Sequence, residues 1–301
     1  MQHSFSARIA TFSISLLLAA SSSVVAPHSH HAVADEPTKD VEKQEAKDRK
    51  ARYLKWMRDY SEGTTIRQVK HGAGQEEAAQ LVAHPVFRYS GDIYADDATM
   101  WVWTSSARPV AFQKLEVNNI GGAQKWTICF GSASEGLLEI RWQGDRQFST
   151  RAPGVTFLPI PKAAPPGKTA RTRTAQLKLL KDRFTGRVTG WGPKGKIDYN
   201  LRPIPTPIFE YADPVTKLPL GAVFSLVNHE GGELTPVFLL LIEVRNDGDG
   251  KLRWEYASRR MTIWSAILRM DDVQVSSLPL VDIEDQVHDD WTFYFLERNL
   301  K

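Results

Sequence analysis

The chain has one cysteine, Cys129, and eight histidines among its 301 residues. A lone thiol excludes a disulfide framework and any multi-cysteine zinc site. An excess of one charge is also missing: 38 Lys and Arg stand against 35 Asp and Glu, a net of +3, so whole-chain charge selects no partner. The apolar stretch Ile9 to Ala20 is interrupted by Ser13 and Ser15 and falls short of the roughly 20 helical residues needed to cross a bilayer. What is present is 42% hydrophobic and 10% aromatic, and a chain this long buries roughly three quarters of its unfolded surface. Disorder, collagen and coiled coil are thereby excluded as the main theme.

The first 34 residues follow signal-peptide grammar: a short polar start with Arg8, an apolar centre around Leu16 to Leu18, and small residues at the end. Val24-Val25-Ala26 and Ala32-Val33-Ala34 are competing cleavage sites, and the first would leave Pro27 at the new terminus, where its rigid ring hinders the peptidase. Cleavage after Ala34 is the expectation, with a periplasmic or extracellular mature protein and no transmembrane span. His28, His30 and His31 are lost with the leader. Cys129, remote from the leader, is not placed for lipid attachment, and its alternation with Trp126, Ile128 and Phe130 reads as a buried strand residue.

Residues 35–62 form a charged helical lead, with Glu45/Arg49 and Asp48/Arg52 as i,i+4 pairs. Tyr53, Leu54, Met57 and Tyr60 give it an apolar face. A short helix is expected around Glu76 to Val82. Residues 63–301 read as one β-rich unit. Trp101 and Trp103 share a face, as do Leu138, Ile140 and Trp142, whereas Val237 to Ile242 is apolar on both sides and suits a central strand. Residues 109–121 align without a gap on 236–248, sharing Glu-Val-x-Asn-x-Gly, and Trp126 to Arg141 has the same spacing as Trp254 to Arg269. The expectation is an internal repeat of four-stranded antiparallel meanders, about 95–142 and 220–270. Between them lie two proline-rich connectors, 153–166 and 203–219, bracketing an amphipathic helix at Thr169 to Thr185. The fold class is therefore α+β, two related meanders with a helix between them and an amino-terminal helix ahead.

No catalytic, cofactor-binding or metal-ligating residue is assigned. His229-Glu-Gly-Gly-Glu233 lacks the second histidine of a helical zinc motif and reads as a hairpin turn. Asn246-Asp-Gly-Asp-Gly250 has the oxygens of a calcium loop without the acid at its twelfth position, and reads as a turn. Charge segregation is more informative. Lys162 to Lys196 carries ten bases and one acid, while Asp271 to Asp290 carries seven acids and no Lys or Arg. Arg171, Arg173, Lys178 and Lys181 on the central helix form a candidate polyanion patch, provided that they face solvent and that the acidic segment does not cover them.

Val86-Phe-Arg-Tyr-Ser90, Ala98-Thr-Met-Trp-Val-Trp103, Arg108-Pro-Val-Ala111, Leu177-Lys-Leu-Leu-Lys-Asp-Arg-Phe184 and Gly221-Ala-Val-Phe224 resemble exported proteins of unknown function from planctomycete-type bacteria. The resemblance covers roughly residues 85 to 275. It implies export and a single integrated unit, and it transfers no activity or site. The functional expectation is a non-enzymatic envelope protein that binds or scaffolds, with an anionic envelope polymer as partner and no nucleic acid. Two alternatives are a hydrolase with a dispersed site, centred on His84 or His229, and a carrier whose Trp101, Trp126 or Trp254 line an open apolar cavity.

Overall fold

The computed structural model describes residues 39–69, 76–91, 95–120, 123–142, 146–192, 195–214, 216–217, 219–228, 234–282 and 287–297. Residues 1–34, expected as a leader, with His28, His30 and His31, and also His71 and the His229 motif, lie outside the described residues. The chain divides into two compact units, Met1–Lys43 and Gln44–Lys301. Of the first, only the opening turn of helix α1 is described, where Asp40 complements the positive end of the helix dipole.

Helix α1 (Lys39–Glu62) is followed by β1 (Thr65–Val69), β2 (Glu76–Ala78), β3 (Gln80–Leu81), β4 (Phe87–Tyr89), β5 (Ala95–Ser105), β6 (Arg108–Ile120), β7 (Ala123–Ser132), β8 (Leu137–Trp142), β9 (Arg146–Ser149) and β10 (Leu158–Pro159). Helix α2 (Ala170–Lys181) then leads β11 (Phe184–Gly192), β12 (Gly195–Pro203), β13 (Phe209–Ala212), β14 (Pro219–Asn228), β15 (Pro236–Asn246), β16 (Leu252–Arg260), β17 (Ser265–Met270), β18 (Val273–Leu278) and β19 (Trp291–Glu297). Thr169 caps α2 by accepting from the Thr172 amide, which satisfies one orphan donor of the first turn. The helix expected at 76–82 is instead β2 and β3. Their backbones are claimed by β1 on one side and β5 on the other, and these long-range pairings override the local preference of the Glu-Glu-Ala-Ala run.

Strands β5–β6–β7 and β14–β15–β16 are antiparallel meanders, as the sequence implies. The fourth strand of each is a correction. β8 pairs with β1 and β9, and β17 pairs with β11 and β18, so neither joins the meander that precedes it. The reason is burial: Leu138, Ile140 and Trp142 pack with Tyr53, Met57 and Tyr60 of α1, so β8 turns over the helix rather than extending the sheet. Alternation shows which face of a strand is buried but not which edge it joins.

Each helix thus lies in the hollow of a curved strand system. Tyr53, Met57 and Tyr60 of α1 pack on Trp101, Trp103, Trp126 and Phe130, while Leu177 and Leu180 of α2 pack on Phe224, Leu240, Trp254 and Leu268. The opposite faces of the two meanders meet each other: Met100, Val102 and Phe112 pack with Val223, Leu239 and Leu241. β15 is consequently apolar on both faces because both are covered, as expected of a central strand. The closing strands cross over. β10 pairs with β16, Leu158 opposite Tyr256, whereas β19 pairs with β7, Tyr294 opposite Ile128.

Candidate functional site

The candidate site grows from a row of three residues across neighbouring strands. Tyr211 of β13 stands opposite Gly221 of β14, and Gly221 stands opposite Glu243 of β15. The glycine is what lets the tyrosine ring pass: a Cβ there would lie 2.5 Å from the Tyr211 hydroxyl and 2.7 Å from Glu243 Cβ. Tyr211 Oη donates to Glu243 Oε2 at 2.8 Å. Burial, reinforced by the adjacent Glu243 charge, pushes the Tyr211 pKa well above its ordinary value, so the phenol stays a donor.

Glu243 is 1% exposed, and a carboxylate that deep requires cationic partners. Arg245 supplies the first, with Nη1 2.6 Å from Glu243 Oε1. The same guanidinium reaches Glu135 at 2.8 Å and Glu255 at 3.1 Å, and it lies over the Phe157 ring at 4.5 Å. Burial opposes the Arg245 charge, but Glu243 and Glu135 outweigh it and hold the pKa above the ordinary value. Arg108, at the start of β6, is a looser partner: its Nε is 3.5 Å from Glu243 Oε2 and its side chain is 45% exposed. These groups border a cleft of about 210 Å³ lined also by Ser105, Ala133, Ser134 and Leu241.

A second tyrosine–glutamate row stands in the other meander. Tyr89 of β4 faces Ala98, which faces Glu116, and the hydroxyl donates to Glu116 Oε1 at 2.6 Å. Here the cation is a lysine: Lys114 Nζ, on the same strand, lies 3.2 Å from Glu116 Oε1 and donates to the Met261 carbonyl at 2.7 Å. Sequence reasoning missed both rows. The Phe-x-Tyr of β4 and β13 and the glutamate of the repeated Glu-Val-x-Asn-x-Gly were readable, but only the strand pairings unite them.

Of the expected cationic patch, α2 presents Arg171 and Lys178 to solvent. Arg173 and Lys181 are buried at 6% and 7%, which reduces the patch to two residues. Arg173 Nε donates to the Gly167 carbonyl at 2.7 Å and its Nη1 to that of Pro219 at 3.2 Å, so this charge anchors the helix; Lys181 pairs with Asp182 at 2.5 Å. Among the described residues, the paired acids of the acidic segment take partners other than Arg171 and Lys178. Asp271 pairs with Arg183 at 2.5 Å, whereas Asp289 and Asp290 pair with Arg151 and Arg259, outside the basic run.

The remaining motifs resolve as follows. Asn246 and Asp247 accept amide protons from Gly248, Gly250, Asp249 and Lys251, and both glycines have positive φ, so this segment is a turn. Cys129 is buried and accepts from Trp291 Nε1 at 2.7 Å, and burial pushes its thiol up to about 11. His84 is exposed. Trp101, Trp126 and Trp254 are 0–1% exposed and packed against the helices and neighbouring strands, so each hollow is filled by a helix rather than open.

No family model, no curated protein and no solved structure matches the chain. No helix among the described residues is long and apolar enough to cross a membrane.

Proposed function

We propose that this is an exported, non-enzymatic envelope protein that binds an anionic polymer through the exposed face of α2, on a body built by internal duplication. The leader at residues 1–34 and the resemblance to exported proteins motivate the location. The parallel series of pairings supports the duplication. Arg67 lies opposite Ala78 and Arg187 opposite Asn200, Thr65 opposite Arg141 and Thr185 opposite Arg269. The Tyr–Glu rows add a functional-looking feature to the same correspondence.

The observation that carries the binding reading is the two-faced helix. Leu177, Leu180 and Arg173 fix α2 in the hollow, and Arg171 and Lys178, two turns apart, project from its outer face without a carboxylate partner among the described residues. A charge on a long side chain loses less entropy on binding when its backbone is already held. Two cations alone bind weakly, and the neighbouring Lys168, also exposed, extends the surface.

The test is retention of residues 35–301 on an anionic polysaccharide and on a neutral one, across a salt series. Retention on the anionic matrix alone, falling steeply as the Debye length shrinks from about 10 Å at 0.1 M to about 3 Å at 1 M salt, is expected. Arg171→Glu with Lys178→Glu should abolish it. Absence of retention by the wild-type protein at low salt, or unchanged retention by the double variant, refutes the proposal.

A further inference from the structure

Lys114 and Leu241 hold the same place in their strands. Each lies two residues before the buried glutamate of its row, on the face that packs between the meanders. The surrounding backbone corresponds as well: the Ala133 amide donates to the Val110 carbonyl and the Met261 amide to the Val237 carbonyl, both at the ends of the strands that follow. Met261, whose carbonyl receives the Lys114 ammonium, is therefore the counterpart of Ala133, which borders the cleft beside Glu243. In one meander an ammonium sits between a buried glutamate and a backbone carbonyl. In the other the glutamate and the corresponding backbone are kept, but leucine replaces lysine and a cleft of about 210 Å³ opens at that place.

We infer that this cleft binds a primary ammonium group from a small ligand, seated by Glu243 and the Ala133 carbonyl as Lys114 is seated by Glu116 and Met261. A charge-assisted N–H···O bond to a buried carboxylate is among the stronger polar contacts available. Room for a further cation exists because Arg108 is the least tightly held partner of Glu243. Its Nε is 3.5 Å away and its side chain is 45% exposed, so it can swing into water without leaving a buried charge unpaired. Arg245 stays in place, fixed by Glu135 and Glu255. Ser105 and Ser134 at the cleft favour an amine that also carries hydroxyl or amide groups, which describes both an amino sugar and a lysine within a peptide, whose backbone supplies the amides. The inference does not depend on export or on the α2 surface.

The experiment is a titration of residues 35–301 with glucosamine and, separately, with Nα-acetyl-lysine amide, followed by NMR shifts at Glu243 and its neighbours. N-acetylglucosamine and Nα,Nε-diacetyl-lysine amide serve as controls that keep the carbon skeleton and lose the ammonium. Saturable shifts with at least one amine and none with its acetylated control are expected, and the stronger arm identifies the source. Leu241→Lys supplies the ammonium internally, as Lys114 does, and should weaken binding by at least about tenfold. Arg108→Ala removes the competitor and should tighten it, a gain that loss of folding cannot mimic. Equal response to amines and acetylated controls, absence of saturable shifts in the wild-type protein, or weaker binding by Arg108→Ala overturns the inference.

Discussion

Lys114 and Leu241 stand at one register position in β6 and β15, each two residues ahead of a buried glutamate that receives a tyrosine hydroxyl. The two glutamates are nonetheless neutralised differently. Glu116 takes its cation from its own strand, whereas Glu243 takes one from Arg245 of its own strand and a looser one from Arg108 of the other meander. Alongside, Asn118 donates to Thr127 at 2.7 Å in one meander, where Arg245 and Glu255 form an ion pair in the other. The second meander is thus the more highly charged of the two at this place.

Lys114→Leu isolates that difference. Glu116 would keep its tyrosine but lose its ammonium in a place where both side chains are about nine-tenths buried. Breaking one partner of such a pair costs about 3–5 kcal/mol. The expected result is a lower urea midpoint with an unchanged m-value, and much of the loss should be recovered by adding Glu116→Gln. An unaltered midpoint would show that Lys114 contributes nothing to holding Glu116.

Gly221→Val tests the crossing of Tyr211 over its glycine. Even the first added carbon meets the Tyr211 hydroxyl and Glu243 Cβ inside 3 Å, so the ring must leave the glutamate or the strands must separate. Overpacking of this kind costs about 1–3 kcal/mol. Double substitution Gly221→Val with Tyr211→Ala should restore part of it in a denaturation series, since the second change removes the clashing ring. If the single variant is as stable as the wild type, the close approach is not a constraint.

The sequence made some of this visible and withheld the rest for a physical reason. The apolar face of α1, the inward Leu177 and Leu180 of α2, the alternation of β8 and the doubly covered β15 follow from local periodicity and are found where the pattern placed them, whereas α2 stops at Lys181, short of the expected Thr185, and Phe184 opens β11 instead. The edges joined by β8 and β17, the strand identity of Glu76–Leu81, and the crossing of β10 and β19 depend on partners far away in the chain. Arg173 and Lys181 were misplaced because charged residues on a helix ordinarily face water, yet Gly167 and Pro219 offer carbonyls that draw Arg173 inward.

Alkaline pH should unfold the protein earlier than its lysines and arginines alone would dictate. Burial raises the pKa of Cys129 from 9.0 to about 11, and burial, only partly opposed by Arg146, raises that of Tyr60. A group whose folded pKa is raised retains its proton when the unfolded chain has lost it, so its contribution is complete below the unfolded pKa and disappears as pH rises. For Cys129 the loss runs from about pH 9 to about 11. Urea midpoints over that window should fall less in Cys129→Ala than in the wild type, and a thiol-reactive chromogenic disulfide should label native Cys129 only as fast as the protein unfolds. Identical pH slopes in the two proteins would remove the thiol from the account.

A nick between β10 and α2 should leave the halves bound together. Lys162 and Lys168 are exposed in the connector, and Lys162 has a positive φ that no ladder constrains, so trypsin has access there. Cleavage at Lys168 leaves β10 covalently on the amino-terminal fragment but paired with β16 of the other, where the Ile160 amide also donates to the Trp254 carbonyl. β19 lies on the carboxy-terminal fragment and pairs along its length with β7, and its Tyr294 hydroxyl meets that of Tyr60 on α1. Arg259 adds a bond to the Gly154 carbonyl at 2.9 Å across the same divide. The fragments share the apolar layer between the meanders, so separating them exposes Met100, Phe112, Leu239 and Leu241 at once. Gel filtration of the nicked protein should give one peak at the intact size that resolves into two bands only under denaturing conditions. Two native peaks would mean that the crossed strands and the shared layer do not bind the halves into one body.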